Sequence, residues 1–180
     1  MRKLLLLLAL VTPLWAAGEF SNRRAPGFSL PDSRIKQHDL AEHRGKVVVL
    51  EIMLTTCPHC VTFAKVLEEV QQKYAGRVQV LSITNPPDTT TTVGRFVQEH
   101  NITYPILFDC GQVSGSYVMA TPQRPSLNIP HVFLIDQNGI IRNDFSYGIM
   151  STAIFEGRGL FTEIDKLLGA GPAKKAPAKK

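Results

Sequence analysis

The stretch Thr55-Thr56-Cys57-Pro58-His59-Cys60 brings two thiols, a proline and an imidazole into one short segment. Two cysteines at this spacing suit three chemistries: a small structural disulfide, electron exchange with another disulfide, or part of a metal site. The place of the pair in the chain separates these readings. Immediately before it, Val47 to Leu54 is a continuous β-branched and apolar run, introduced by Arg44-Gly45-Lys46, and reads as a central strand covered on both faces. From Cys57 onward the period becomes helical, with Phe63, Val66, Leu67, Val70 and Tyr74 on one stripe and Lys65, Glu68, Glu69 and Lys73 opposite, ending at Gly76.

A strand that runs straight into a helix leaves the unpaired N–H groups and partial positive charge of the first turn facing outward. Cys57 falls there, so its thiolate would be stabilised, and His59 beside it adds a donor or a positive charge. Pro58 suits the first turn, where a missing N–H costs nothing. Cys60 lies one turn later on the same side and is expected to be the more buried thiol. Cys57 is thus the expected nucleophile and Cys60 the resolving thiol. Thr55 and Thr56 read as strand end and helix cap.

Glu51 stands inside the apolar strand, where an unpaired carboxylate is expensive. Such a group keeps its proton or finds a partner. If it points toward the cysteines, it can take and return the Cys60 proton; a solvated strand face is the alternative.

The elements that must position these residues follow from the pattern. Phe28 and Leu30 alternate in a short edge strand closed by a turn, and Val78 to Thr84 is a second strand. Asp88 before four threonines looks like the capped start of a helix carrying Val93, Phe96 and Val97. Pro105 to Phe108 is ambiguous. Ile129–Asp136 and Gly139–Asp144 read as a hairpin turning at Gln137-Asn138-Gly139, and a last helix is expected over Leu160–Leu168. Strands alternating with helices predict an α/β sandwich with a mixed sheet.

The ends of the chain carry different information. Met1-Arg2-Lys3, the leucine run Leu4 to Val11, and Ala16-Ala17-Gly18 have the layout of a cleaved signal peptide over 1–18, with cleavage after Gly18 or Ala17. One domain is expected over 19–170, followed by a disordered Lys/Pro/Ala tail over 171–180. Of 20 Lys and Arg, two lie in the leader and four in the tail, leaving 14 against 15 acids in the body. The folded part is near neutral, which argues against nucleic-acid binding.

Three motifs together carry a resemblance: P-G-F-S-L-P-D from Pro26, R-G-K-V-V-V-L-E before C-P-H-C, and I-P-H-V-F-L-I-D-Q-N-G-I-I-R from Ile129. From about Pro26 to Leu168 the chain resembles the thioredoxin superfamily, specifically exported TlpA/ResA-like thiol–disulfide oxidoreductases and their AhpC/TSA-type redoxin relatives. That resemblance implies a thioredoxin-like three-layer sandwich, a mixed sheet flanked by helices, with an extra N-terminal β-hairpin. It implies that Pro130 is the family's cis-proline, packed against the active-site disulfide, and that Ile129, Pro130 and Pro58 meet the substrate segment. Glu51 matches the family's buried acid. Two departures stand out: Thr56 replaces the tryptophan common before the first cysteine, and the turn after Asp32 lacks its frequent glycine. The Pro-His pair is that of DsbA-type oxidants, whereas the surrounding framework resembles the reducing branch, so the direction of electron flow is open.

The rival readings use the same residues. A peroxiredoxin-like peroxidase would need proline and threonine or serine where Leu50 and Leu54 stand. A copper-chaperone-like module could use Cys57, Cys60 and a histidine, His131 being a candidate, but a second cysteine pair is lacking. Cys110 reads as a small buried hydrophobe, with a mixed-disulfide or second resolving role as the alternative. His38 and His43 read as surface residues. The favoured reading is a cofactor-free, monomeric, periplasmic or otherwise extracytoplasmic thiol–disulfide oxidoreductase using Cys57, Cys60, Glu51 and His59. Its partners would be exported proteins with thiols or disulfides, together with a membrane or soluble redox partner.

Overall fold

The computed structural model describes residues 18–123 and 128–169. The leader, except for Gly18, and the whole tail lie outside the described residues.

The apolar run forms β4 (Val47–Met53), and all of its residues are buried. Burial on both faces explains why the run is continuous rather than alternating. Strand β4 pairs parallel with β5 (Val78–Thr84) and antiparallel with β7 (His131–Ile135). Strand β6 (Ile106–Phe108) extends the parallel side, while β8 (Ile140–Ser146) and the short β1 (Arg23–Arg24) extend the other. The order is β1-β8-β7-β4-β5-β6, a mixed sheet. The β7–β8 hairpin turns where expected, with Gly139 at φ +76°, a conformation glycine adopts at little cost.

Successive side chains of β4 point to opposite faces, and this divides the core. Val47, Val49 and Met53 pack with Cys60, Phe63, Leu67 and Val70 of α1 (Pro58–Lys73). The same cluster takes Val93 and Phe96 of α2 (Thr90–His100), Phe155 of α4 (Thr152–Phe155), and Leu160 and Ile164 of α5 (Arg158–Gly169). Val48, Leu50 and Ile52 face the other way, onto Phe20, Phe28, Leu40 and Tyr117. That second face is covered by the N-terminal arm, including the hairpin β2 (Ser29–Pro31) and β3 (Gln37–Asp39), and by the short α3 (Gln112–Tyr117). The architecture is the expected thioredoxin-like sandwich with an N-terminal hairpin.

Several local expectations need correction. The ambiguous stretch Pro105–Phe108 contains β6, which begins at Ile106. Helix α2 is capped by Thr89, whose side chain accepts from Thr92 N while Thr92 returns a bond to Thr89 N, so Asp88 is not the cap. His38 is buried rather than at the surface, because its Nε2 lies 3.1 Å from Asp32 Oδ2 across the small hairpin. Cys110 is exposed rather than buried, since it follows β6 at the edge of the sheet.

Candidate functional site: the Cys57–Cys60 turn

The β4-to-α1 junction places Cys57 at the N-cap of α1, with extended backbone (φ −81°, ψ 117°). Neither threonine before it is the cap, contrary to the expectation for Thr55 and Thr56. Cys57 Sγ accepts from Cys60 N at 3.4 Å, so the sulfur occupies the place of a capping oxygen and satisfies an orphan N–H of the first turn. Pro58 takes the first helical position and is exposed. Cys57 is half-buried, Cys60 fully buried, and both are free thiols.

Alternation along β4 puts Glu51 on the same face as Val49 and Met53, the face covered by α1. It is 1% exposed. The parallel register sets it beside Ser82, whose hydroxyl donates to Glu51 Oε2 at 2.6 Å. Glu51 Oε1 has no hydrogen-bond partner among the described residues. Burial pushes the Glu51 carboxyl up to about 8, and the single Ser82 bond only partly offsets it. Burial likewise pushes the Cys60 thiol far up, followed by the negative charge of Glu51 and the hydrogen bond with Cys57. Tyr104 belongs to the same pocket: burial, then the Glu51 charge, holds its phenol protonated. Ser82 and Tyr104 are not identified by sequence reasoning. Ser82 is in principle accessible to it, as a hydroxyl in the run V-Q-V-L-S-I-T that pairs with the strand carrying Glu51.

Across the turn, Cys57 Sγ lies 4.0 Å from Ile129 O. The Ile129–Pro130 peptide is cis, and Pro130 is buried. Pro130 O accepts from Tyr147 N at 3.0 Å. Tyr147 is the neighbour of His59: the two rings stack at 3.9 Å with 21° between their planes, and Tyr147 meets Phe155 edge-on. His59 is exposed, and no hydrogen bond joins its ring to Cys57 Sγ. The structure therefore brings Cys57, Cys60, Glu51 and Ile129-Pro130 around one turn, with His59 on its solvent side.

The residues raised for metal binding lie differently. His131 is buried, with Nε2 at 3.1 Å from Asp144 Oδ2 and its ring stacked on Phe133. Among the described residues there is no group of three or more His, Cys, Asp or Glu side chains placed to hold a metal ion. No helix among them is long and apolar enough to cross a membrane.

Thioredoxin-like protein YneN of Bacillus subtilis is 26% identical over 131 residues, covering 72% of each chain. Thiol-disulfide oxidoreductase ResA of Geobacillus kaustophilus is 30% identical over 120 residues, 66% of this chain and 64% of that protein. The chain thus spans just under two-thirds of the length of that relative. Among solved structures, a secreted Mycobacterium tuberculosis disulfide oxidoreductase homologous to Escherichia coli DsbE superposes with a TM-score of 0.60 at 21% identity, covering 74% of this chain and 95% of that one, a likeness of fold. The family model that matches, over residues 22–144, takes in both cysteines, Glu51 and Pro130, and by that match the chain belongs to the AhpC/TSA family.

Proposed function

We propose that this protein is an exported thiol–disulfide oxidoreductase that exchanges electrons with partner proteins through the C-P-H-C turn. The observation that carries this reading is the pairing of a half-buried Cys57 at a helix cap with a buried Cys60 that shares its pocket with an under-bonded carboxylate. In the reducing direction, the Cys57 thiolate attacks one sulfur of a partner disulfide. The partner's other sulfur leaves as a thiolate, and a mixed disulfide forms. Cys60 then loses its proton and attacks Cys57 Sγ, closing the Cys57–Cys60 disulfide and releasing the partner as a dithiol two electrons richer. In the oxidising direction the same steps run backward.

Cys60 is the difficult group, because burial opposes its thiolate. Glu51, with its carboxyl poised near neutral pH, is suited to accept that proton at the moment of attack and return it in the reverse step. Backbone near the Ile129–Pro130 peptide would receive the partner segment. Beside it, Ile149 and Met150 are 94% and 99% exposed, an apolar shelf next to Tyr147 that suits a partner with apolar side chains flanking its cysteine. His59, stacked on Tyr147, forms the other wall of this approach.

Export is supported by the leader-like sequence before Glu19. The test is a pair of variants mixed with a disulfide-bearing protein substrate. Cys57→Ser is expected to abolish exchange, whereas Cys60→Ser is expected to accumulate the mixed disulfide. Turnover unchanged in both would overturn the proposal.

A further inference from the structure

Thr55 stands two residues before Cys57, in the link between β4 and α1, and the exchange steps above make no use of it. Its anchor comes from a different part of the chain. Asp88 Oδ2 accepts from Thr55 N at 2.8 Å, and Asp88 Oδ1 accepts from the Thr55 hydroxyl. The same carboxylate accepts from the Thr84 hydroxyl at the end of β5, and Thr92 Oγ1 at the start of α2 lies 3.0 Å from Oδ1. Helix α2 already has its cap in Thr89, so these bonds are surplus to capping. One carboxylate therefore ties together two helix starts and a strand end, and it grips the reactive link by main chain and side chain at once. Burial alone would raise this carboxyl, but the hydrogen bonds, led by those from Thr55 and Thr84, hold it below the usual carboxylate range. It stays charged wherever the thiols work.

We propose that Asp88 is a positioning residue for thiol–disulfide exchange: by fixing Thr55 it fixes Cys57 Sγ relative to Cys60. This inference rests on the oxidoreductase reading. Closing the disulfide requires the two sulfurs to reach about 2.05 Å with a restricted dihedral. A link already held in place loses less freedom on closure than a loose one. Releasing Thr55 therefore weakens the Cys57–Cys60 disulfide relative to the dithiol.

The experiment equilibrates the protein with glutathione: two glutathione thiols reduce the Cys57–Cys60 disulfide, yielding the dithiol and one oxidised glutathione, with two electrons and two protons transferred. Asp88→Ala is expected to lower the equilibrium constant for closing the protein disulfide about tenfold, an upward shift of about 30 mV. Thr55→Val removes only the hydroxyl bond, and its expected effect is about threefold by the same relation. The double variant is expected to be no worse than Asp88→Ala, because both changes remove one interaction. Folded variants with the wild-type constant, or effects that simply multiply, would overturn the assignment, since a purely structural carboxylate would lower the unfolding midpoint and leave the constant unmoved. Should Asp88→Ala not fold, Thr55→Val decides by itself: a wild-type constant in that variant overturns the assignment. A wild-type protein with no reversible couple would instead sink the oxidoreductase reading, and the role of Asp88 with it.

Discussion

Glu51 and Asp144 are both buried carboxylates of the main sheet, 1% and 6% exposed, and the protein treats them in opposite ways. Asp144 is surrounded by donors: Phe20 N and the Ser21 hydroxyl at 2.9 Å on Oδ1, and His131 Nε2 at 3.1 Å from Oδ2. Burial would raise its carboxyl, but His131, Ser21 and Phe20 outweigh burial and hold it below the usual range. Glu51 receives one bond, from Ser82, and burial wins. A carboxylate given enough donors is a fixed structural anion, here tying the N-terminal arm to β8. One left short of them holds its proton to higher pH, and in the proposed exchange that is the group suited to carry the Cys60 proton.

The largest effect is expected from Glu51→Gln. The folded carboxyl keeps its proton to about pH 8, while the unfolded chain loses it near 4.5. Wild-type stability is therefore full below the lower value, falls as pH rises between the two, and levels off above the higher one. The variant cannot ionise, so it is expected to gain on the order of 5 kcal/mol over wild type at pH 9 and almost nothing at pH 4, by denaturant unfolding of the reduced protein. Exchange should nevertheless slow by roughly a hundredfold, the low end of general acid–base contributions. A variant less stable than wild type at pH 9 would contradict the burial argument.

Asp144→Asn tests the opposite case. A depressed carboxyl contributes stability that is present above its unfolded value and is lost as pH falls through the folded one. The variant leaves His131 without its charged partner and is expected to cost about 3 kcal/mol at pH 7, with the deficit shrinking in acid. An equal deficit at pH 7 and at pH 3 would remove the charge from the explanation. The smallest effect is expected from Ser82→Ala, which takes away the one donor Glu51 has. It should cost about 1 kcal/mol where Glu51 is ionised and push the Glu51 titration further up, readable by carboxyl infrared absorption across pH.

Much of this arrangement was legible in the sequence because it follows from local pattern. The run Val47–Leu54 is β-branched and apolar but for one residue and reads as a doubly covered strand, which makes Glu51 conspicuous within it. The turn Gln137-Asn138-Gly139 and the period of α1 are equally local. What escaped depends on contacts and short elements that leave no periodic pattern. Asp88 reads as a helix cap, and its grip on Thr55 spans 33 residues. His38 looks like a surface residue until Asp32 folds back to meet it. Helix α3, Gln-Val-Ser-Gly-Ser-Tyr, is too short and glycine-broken to show a period. Tyr147 carries no sequence signal for its place against His59, because that stack exists only once the segment after β8 meets the start of α1.

Exchange through the Cys57–Cys60 turn is tested at its root by the redox equilibrium of the wild-type protein in glutathione buffers, followed by separating reduced from oxidised Cys57/Cys60. One reversible two-electron couple is expected, which disappears in Cys57→Ser and leaves Cys110 unaffected. Its potential would then give the direction of electron flow: about −120 mV marks a DsbA-like oxidant, and thioredoxin-like values near −270 mV mark a reductant. A protein whose Cys57–Cys60 pair shows no reversible couple at any glutathione ratio would contradict it.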